Sequence, residues 1–166
     1  MITIDVNDYF ISLPSDPDVL DFIAPMKKLR GGLILDPMLA EPWSCDTARC
    51  REFLGRNLCC KVDTRCRYFT GELCRVHDRK PFSCALFPLD LWRVGRARVL
   101  VSAKNPIPYA RNWSRYDRDM LRCFLGTEKG AKSMLEVQEP VLRKVFGEAE
   151  MAELLGAVRE ISESGQ

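Results

Sequence analysis

Eight cysteines stand in a chain of 166 residues, and five of them, Cys59, Cys60, Cys66, Cys74 and Cys84, fall within 26 positions. Unprotected thiolates at that density are nucleophiles and oxidation targets, so they are expected to be paired with one another or held by a metal. The compartment separates the two fates. The opening Met1-Ile2-Thr3-Ile4-Asp5-Val6 has no basic start, continuous apolar core or small-residue cleavage site, so no secretory signal is visible and a cytoplasmic location is expected. In a reducing cytosol dense cysteine reads as metal or redox chemistry rather than structural disulfides.

The spacing narrows the chemistry. Zinc ribbons rest on short knuckles in which one tight turn presents two sulfurs to one ion, and only Cys45 and Cys50 approach that spacing. Seven residues separate Cys66 from Cys74 and nine separate Cys74 from Cys84. Iron–sulfur clusters accept such wide intervals because their ligand sulfurs lie farther apart than those around one ion. Adjacent side chains usually point apart, so Cys59 and Cys60 suit two different sites, or one ligand and one packed thiol. No cysteine pair with thioredoxin-like spacing occurs, nor does a phosphate loop, dinucleotide fingerprint or serine triad. The single histidine, His77, sits among Arg75, Asp78, Arg79 and Lys80, which favours a solvated loop over ligation.

Net charge is +2 but unevenly spread: residues 49 to 122 hold 17 basic and 7 acidic side chains, between acidic flanks. Trp92, Arg93, Arg96, Arg98, Lys104, Tyr109, Arg111, Trp113, Arg115 and Tyr116 mix cations with aromatics, as a nucleic-acid groove does. Four thiolates around Zn²⁺ or an oxidised four-iron cluster carry about −2 overall, however. Balancing those thiolates is the favoured role for many of the arginines, and a smaller anion-binding patch within residues 91 to 122 stays open.

These residues must be positioned by the surrounding elements. The first forty-odd residues read as an ordered but irregular lead-in, with a strand-like alternation at Ile2, Ile4 and Val6. Asp16-Pro17 opens a helix that Pro25 limits to about two turns. Gly31-Gly32 marks a turn before Leu33-Ile34-Leu35. Asp46 and Gly55 bound a short helix carrying Cys50. Residues 89–92 and 97–102 form a hairpin about Val94-Gly95-Arg96. Ser114 and Asp117 resemble a capping box ahead of a helix with Met120, Leu121, Phe124 and Leu125 on one face, with Cys123 beside it and Gly126 at its end. From Thr127 the chain is helical: Pro140 is expected at a helix start, and Met151, Leu154, Leu155, Val158 and Ile161 form a stripe expected to be core or a dimer contact. No apolar stretch approaches the roughly 20 residues that span a bilayer, so no membrane partner is expected.

Cys66-Arg67-Tyr68-Phe69, the Cys74-to-Cys84 interval, Pro81 and the Phe87-Pro88 step together resemble the YkgJ-type family of cysteine-cluster proteins, which chelate zinc or iron. On that resemblance Cys45 and Cys50 match the first two cysteines of the pattern and Cys59 and Cys60 its pair. Cys66, Cys74 and Cys84 match the central three, and Cys123 with Gly126 the last. The likeness covers residues 45 to 126. The chain departs from the pattern in the eight residues between Cys50 and Cys59, in His77 where an aromatic is common, in Lys80 before the proline, and in Ala85 after the cysteine. The resemblance implies that all eight cysteines are metal ligands, enough for two four-cysteine sites.

The expected protein is a single α+β domain with an irregular cysteine-rich metal core at 45–126, a short β-hairpin and a helical part at 127–166. An iron–sulfur cluster, of the 4Fe-4S type, is preferred, with electron transfer or a redox-linked role and a redox or protein partner. The alternative is a zinc-stabilised module binding nucleic acid or an acidic partner. A distant likeness to the cysteine region of flagellin lysine methylases keeps a protein-modifying enzyme as a third and weaker reading.

Overall fold

The computed structural model describes residues 9–43, 82–102 and 132–165, apart from the side chains of Ser83 and Cys84. In these residues the chain is α+β, a mixed five-stranded sheet with helices on both faces. Its elements are strand β1 (Ile11–Leu13), helix α1 (Pro17–Ile23), strands β2 (Lys27–Lys28) and β3 (Leu33–Leu35), a 3₁₀ turn (Pro37–Ala40), the short helix α2 (Phe82–Ala85), strands β4 (Leu89–Val94) and β5 (Ala97–Ser102), and helices α3 (Met134–Leu142) and α4 (Glu148–Ser164).

The hairpin of β4 and β5 is the centre of the sheet and follows from its sequence. Apolar residues, Leu89, Leu91, Trp92 and Val94 in β4 and Val99, Leu100 and Val101 in β5, are buried along both strands, and Gly95, at φ +59°, supplies the left-handed position that a tight reversal needs. β1 lies parallel to β4 on one side, β3 lies parallel to β5 on the other, and β2 closes the edge antiparallel to β3. The first forty-odd residues are therefore no mere lead-in: they supply three of the five strands. Runs of two or three residues are too short to show an alternation, and the parallel partners of β1 and β3 lie far along the chain, so the pairing was not readable locally.

Alternation along the strands sorts the core into two layers. Leu33, Leu35, Leu89, Leu91 and Leu100 point to one face, where they meet Leu39, Met134, Leu135, Leu142, Met151 and Leu154. Ile34, Trp92, Val94, Val99 and Val101 point to the other, against Val19 and Ile23 of α1 and Met26. Asp16 caps α1 by accepting from the Val19 amide at 3.1 Å, and Pro17 takes the first turn, where its missing N–H costs nothing.

α3 begins earlier than Pro140 would place it. Ser133 and Glu136 form a reciprocal capping box: the Glu136 amide donates to Ser133 Oγ at 3.2 Å, and the Ser133 amide donates to Glu136 Oε2 at 2.8 Å. Pro140 sits in the last turn instead. Only one helical donor is lost there, and the next turn is still closed by Arg143 N–H to the Glu139 carbonyl at 2.9 Å.

α4 presents Met151, Leu154, Ala157 and Val158 to the core, with Leu155 and Ile161 packed at its margin, so the expected apolar stripe is core. Its glutamates fasten it to the sheet. Glu150 pairs with Arg98 of β5 at 2.5 Å, Glu160 pairs with Lys27 of β2 at 2.5 Å, and Glu153 accepts from the Arg30 amide at 2.7 Å. Among the described residues no helix is long and apolar enough to cross a membrane. The strand expected at Ile2, Ile4 and Val6 and the helices expected at 46–55 and beyond Ser114 lie outside the described residues.

Candidate metal centre

Of the eight cysteines, only Cys84 has a described backbone; Cys45, Cys50, Cys59, Cys60, Cys66, Cys74 and Cys123 lie outside the described residues. Cys84 is the third residue of α2, a single turn closed by the Leu86 amide donating to the Phe82 carbonyl at 2.8 Å. That turn is anchored on both sides. Phe82 packs on Tyr9 with ring centroids 4.1 Å apart. Leu86 is buried in the main core, and Phe87 meets Trp43 edge to face with centroids 6.1 Å apart. The Phe87 carbonyl accepts from the side-chain amide of Gln138 on α3. The Phe87–Pro88 peptide is cis, and β4 begins directly after it.

The described chain also fixes where the cysteine-bearing segments are rooted. Six cysteines lie within residues 44–81 and Cys123 lies within 103–131. The chain leaves for these segments at Trp43 and Ser102 and returns at Phe82 and Lys132. All four points lie at one end of the sheet. Leu89 and Ser102 are register partners there, opposite the Gly95 turn. β3 runs parallel to β5 and ends beside Leu100, and Asp36 follows it. Trp43 N–H donates to the Lys132 carbonyl at 3.1 Å, and Met134 N–H donates to the Glu41 carbonyl at 2.9 Å.

Asp36 ties this end together. Its carboxylate is fully buried, one oxygen accepting from the Met38 amide at 2.9 Å and the other from the Ser102 amide at 3.0 Å. The Ser102 hydroxyl in turn donates to the Met134 sulfur at 3.2 Å. Sequence reasoning passed over Asp36, Trp43 and Gln138. For Trp43 a signal existed, an aromatic residue two positions ahead of Cys45; nothing local marks Gln138, whose partner is 51 residues away.

In the described part of the basic aromatic segment Trp92, Arg93 and Arg98 serve the fold, whereas Arg96 is exposed beside the Gly95 turn. Trp92 is 4% exposed in the α1-side core. Arg98 pairs with Glu150 and lies over the Phe146 ring at 5.9 Å, and Arg93 lies over the Phe10 ring at 5.5 Å. Lys104, Tyr109, Arg111, Trp113, Arg115 and Tyr116 lie outside the described residues.

Among the described residues are two open grooves. One, of about 530 Å³, runs between β2 and α4, where the facing charges of Lys27 and Glu160 are paired. The other, of about 580 Å³, lies between the 3₁₀ turn, the start of α3 and the end of α4. Glu136 on its wall is held below the ordinary carboxylate value of 4.5, first by the Ser133 amide and then by the Ser133 hydroxyl. Among the described residues no group of three or more His, Cys, Asp or Glu is placed to hold a metal.

No family model, curated protein or solved structure matches the chain. The likeness to the YkgJ-type family rests on the motif residues alone.

Proposed function

We propose that this chain is a cysteine-cluster metalloprotein in which Cys45, Cys50, Cys59, Cys60, Cys66, Cys74, Cys84 and Cys123 supply thiolates to one or two iron–sulfur clusters. The observation that carries the reading is the common root of the cysteine-bearing segments. Residues 44–81 and 103–131 start and finish at one end of one sheet, and Cys84 sits in the anchored turn at that same end. A centre drawing ligands from both segments therefore asks for no long reach from a distant part of the fold.

The donor set fits such a group: eight soft sulfur ligands, with wide intervals from Cys66 to Cys74 and from Cys74 to Cys84, and a single histidine in the chain. A bound cluster would supply one-electron transfer. The chain's own part is to hold ligands in place and keep the surroundings dry. Leu86 and Trp43 bury apolar surface beside α2, Gln138 fixes the carbonyl that follows it, and Asp36 locks the ends of β3 and β5 together. Supporting groups of this kind set ligand orientation and affinity in metal sites.

Protein purified without oxygen tests the reading. It should be brown and contain iron and acid-labile sulfide. Colourless protein with stoichiometric zinc would replace the cluster by a structural zinc site, and metal-free protein would remove the proposal altogether.

A further inference from the structure

Trp43 carries a donor with no acceptor among the described residues. Its side chain is 4% exposed, and its indole Nε1–H is buried without a hydrogen-bond partner, alone in this respect among the described residues. Buried donors are almost always satisfied, and leaving one unpaired costs free energy. Everything else about the residue is settled: its ring packs against Phe87, and its backbone N–H bonds Lys132.

The position of this donor is informative. Trp43 stands two residues before Cys45, and its ring touches Phe87, three residues after Cys84. It thus lies where the chain departs for the segment carrying six cysteines and beside the turn that carries another. We infer that the indole N–H donates to a sulfur of the cluster, either a cysteine thiolate or a bridging sulfide. The inference rests on the iron–sulfur reading above and gives that centre a named tuning residue. A donor to a cluster sulfur stabilises the more negative, reduced form and raises the reduction potential. Trp43 acts here as a positioning and tuning residue, not a ligand.

Trp43→Phe keeps an aromatic ring against Phe87 and removes the donor. Wild type and variant would be purified without oxygen, checked for native circular dichroism and for equal iron and sulfide per chain, and titrated with dithionite, which delivers one electron to the cluster. The ratio of reduced to oxidised cluster at a fixed potential should fall roughly tenfold in the variant, a midpoint about 59 mV more negative for a one-electron couple. An unchanged midpoint at equal cluster content overturns the inference and leaves the metal reading standing. Wild-type protein without iron overturns both.

Should Trp43→Phe fail to fold, wild-type protein carrying ¹⁵N in its indole rings decides the matter without a variant. Electron–nuclear double resonance on the reduced cluster should show a ¹⁵N coupling that persists in Trp113→Phe, and its absence would refute the donation.

Discussion

The side-chain amide of Gln138, on α3, donates to the main-chain carbonyl of Phe87, three residues beyond Cys84 and 51 residues away in sequence. This bond joins the C-terminal helical layer to the turn that carries the cysteine. Gln138 is 7% exposed, so the amide gives up water to make it. Gln138→Leu keeps a similar volume and removes the donor. It should destabilise the protein by about 1–3 kcal/mol, the usual cost of withdrawing a partner from a buried polar group. Urea unfolding measures that loss, and on the metal reading the variant should also release its metal to a chelator faster than wild type.

Asp36 should matter more. Its buried carboxylate accepts from the Met38 and Ser102 amides, and Asp36→Ala removes acceptors from both. A loss of about 3 kcal/mol is expected, at the upper end for a hydrogen-bonded charged group. Because Asp36 joins the ends of β3 and β5, amide exchange at Met38 and Ser102 should accelerate before exchange in the hairpin at Val94 and Ala97. Uniform acceleration would contradict a local role.

Ser133 and Glu136 give a pH-dependent prediction. Glu136 is held below 4.5 by Ser133, so its folded value lies under its unfolded one. Its contribution to stability is therefore complete above about 4.5 and disappears as pH falls through the lower folded value. The effect is modest because solvent screens a carboxylate this exposed. Ser133→Ala should cost about 1 kcal/mol near neutral pH, as loss of an N-cap does. Ser133→Ala keeps the amide and removes the hydroxyl, so the hydroxyl's share of the difference should narrow as pH falls below about 4.5, as followed by urea midpoints across an acid series.

Much of the scaffold could be read from local chemistry. Asp16-Pro17, the Gly95 reversal and the stripe along α4 each state their structure in a few adjacent residues, and each is found where its sequence puts it. Pro140 misled because a proline near a helix end resembles one at a helix start; the Ser133 and Glu136 box was the better signal. β1 and β3 escaped because each takes its identity from a distant parallel partner, and β2 because it is two residues long. The candidate centre divides the same way. Its cysteines announce themselves by type and spacing, whereas the contacts of Asp36 with Ser102 and of Gln138 with Phe87 are created only by folding.

The individual cysteines are expected to differ. Cys74→Ser or Cys84→Ser should empty a site and destabilise the centre, while Cys123→Ser should only loosen it. Metal per chain, measured on each single variant, distinguishes them. Full occupancy in Cys84→Ser would contradict its place among the ligands.

Iron, zinc and acid-labile sulfide measured together on wild-type protein purified without oxygen test the central claim most directly. Iron and sulfide in near-equal amounts, on a brown protein whose colour bleaches with dithionite, are predicted. Stoichiometric zinc without sulfide, or no metal at all, would contradict it.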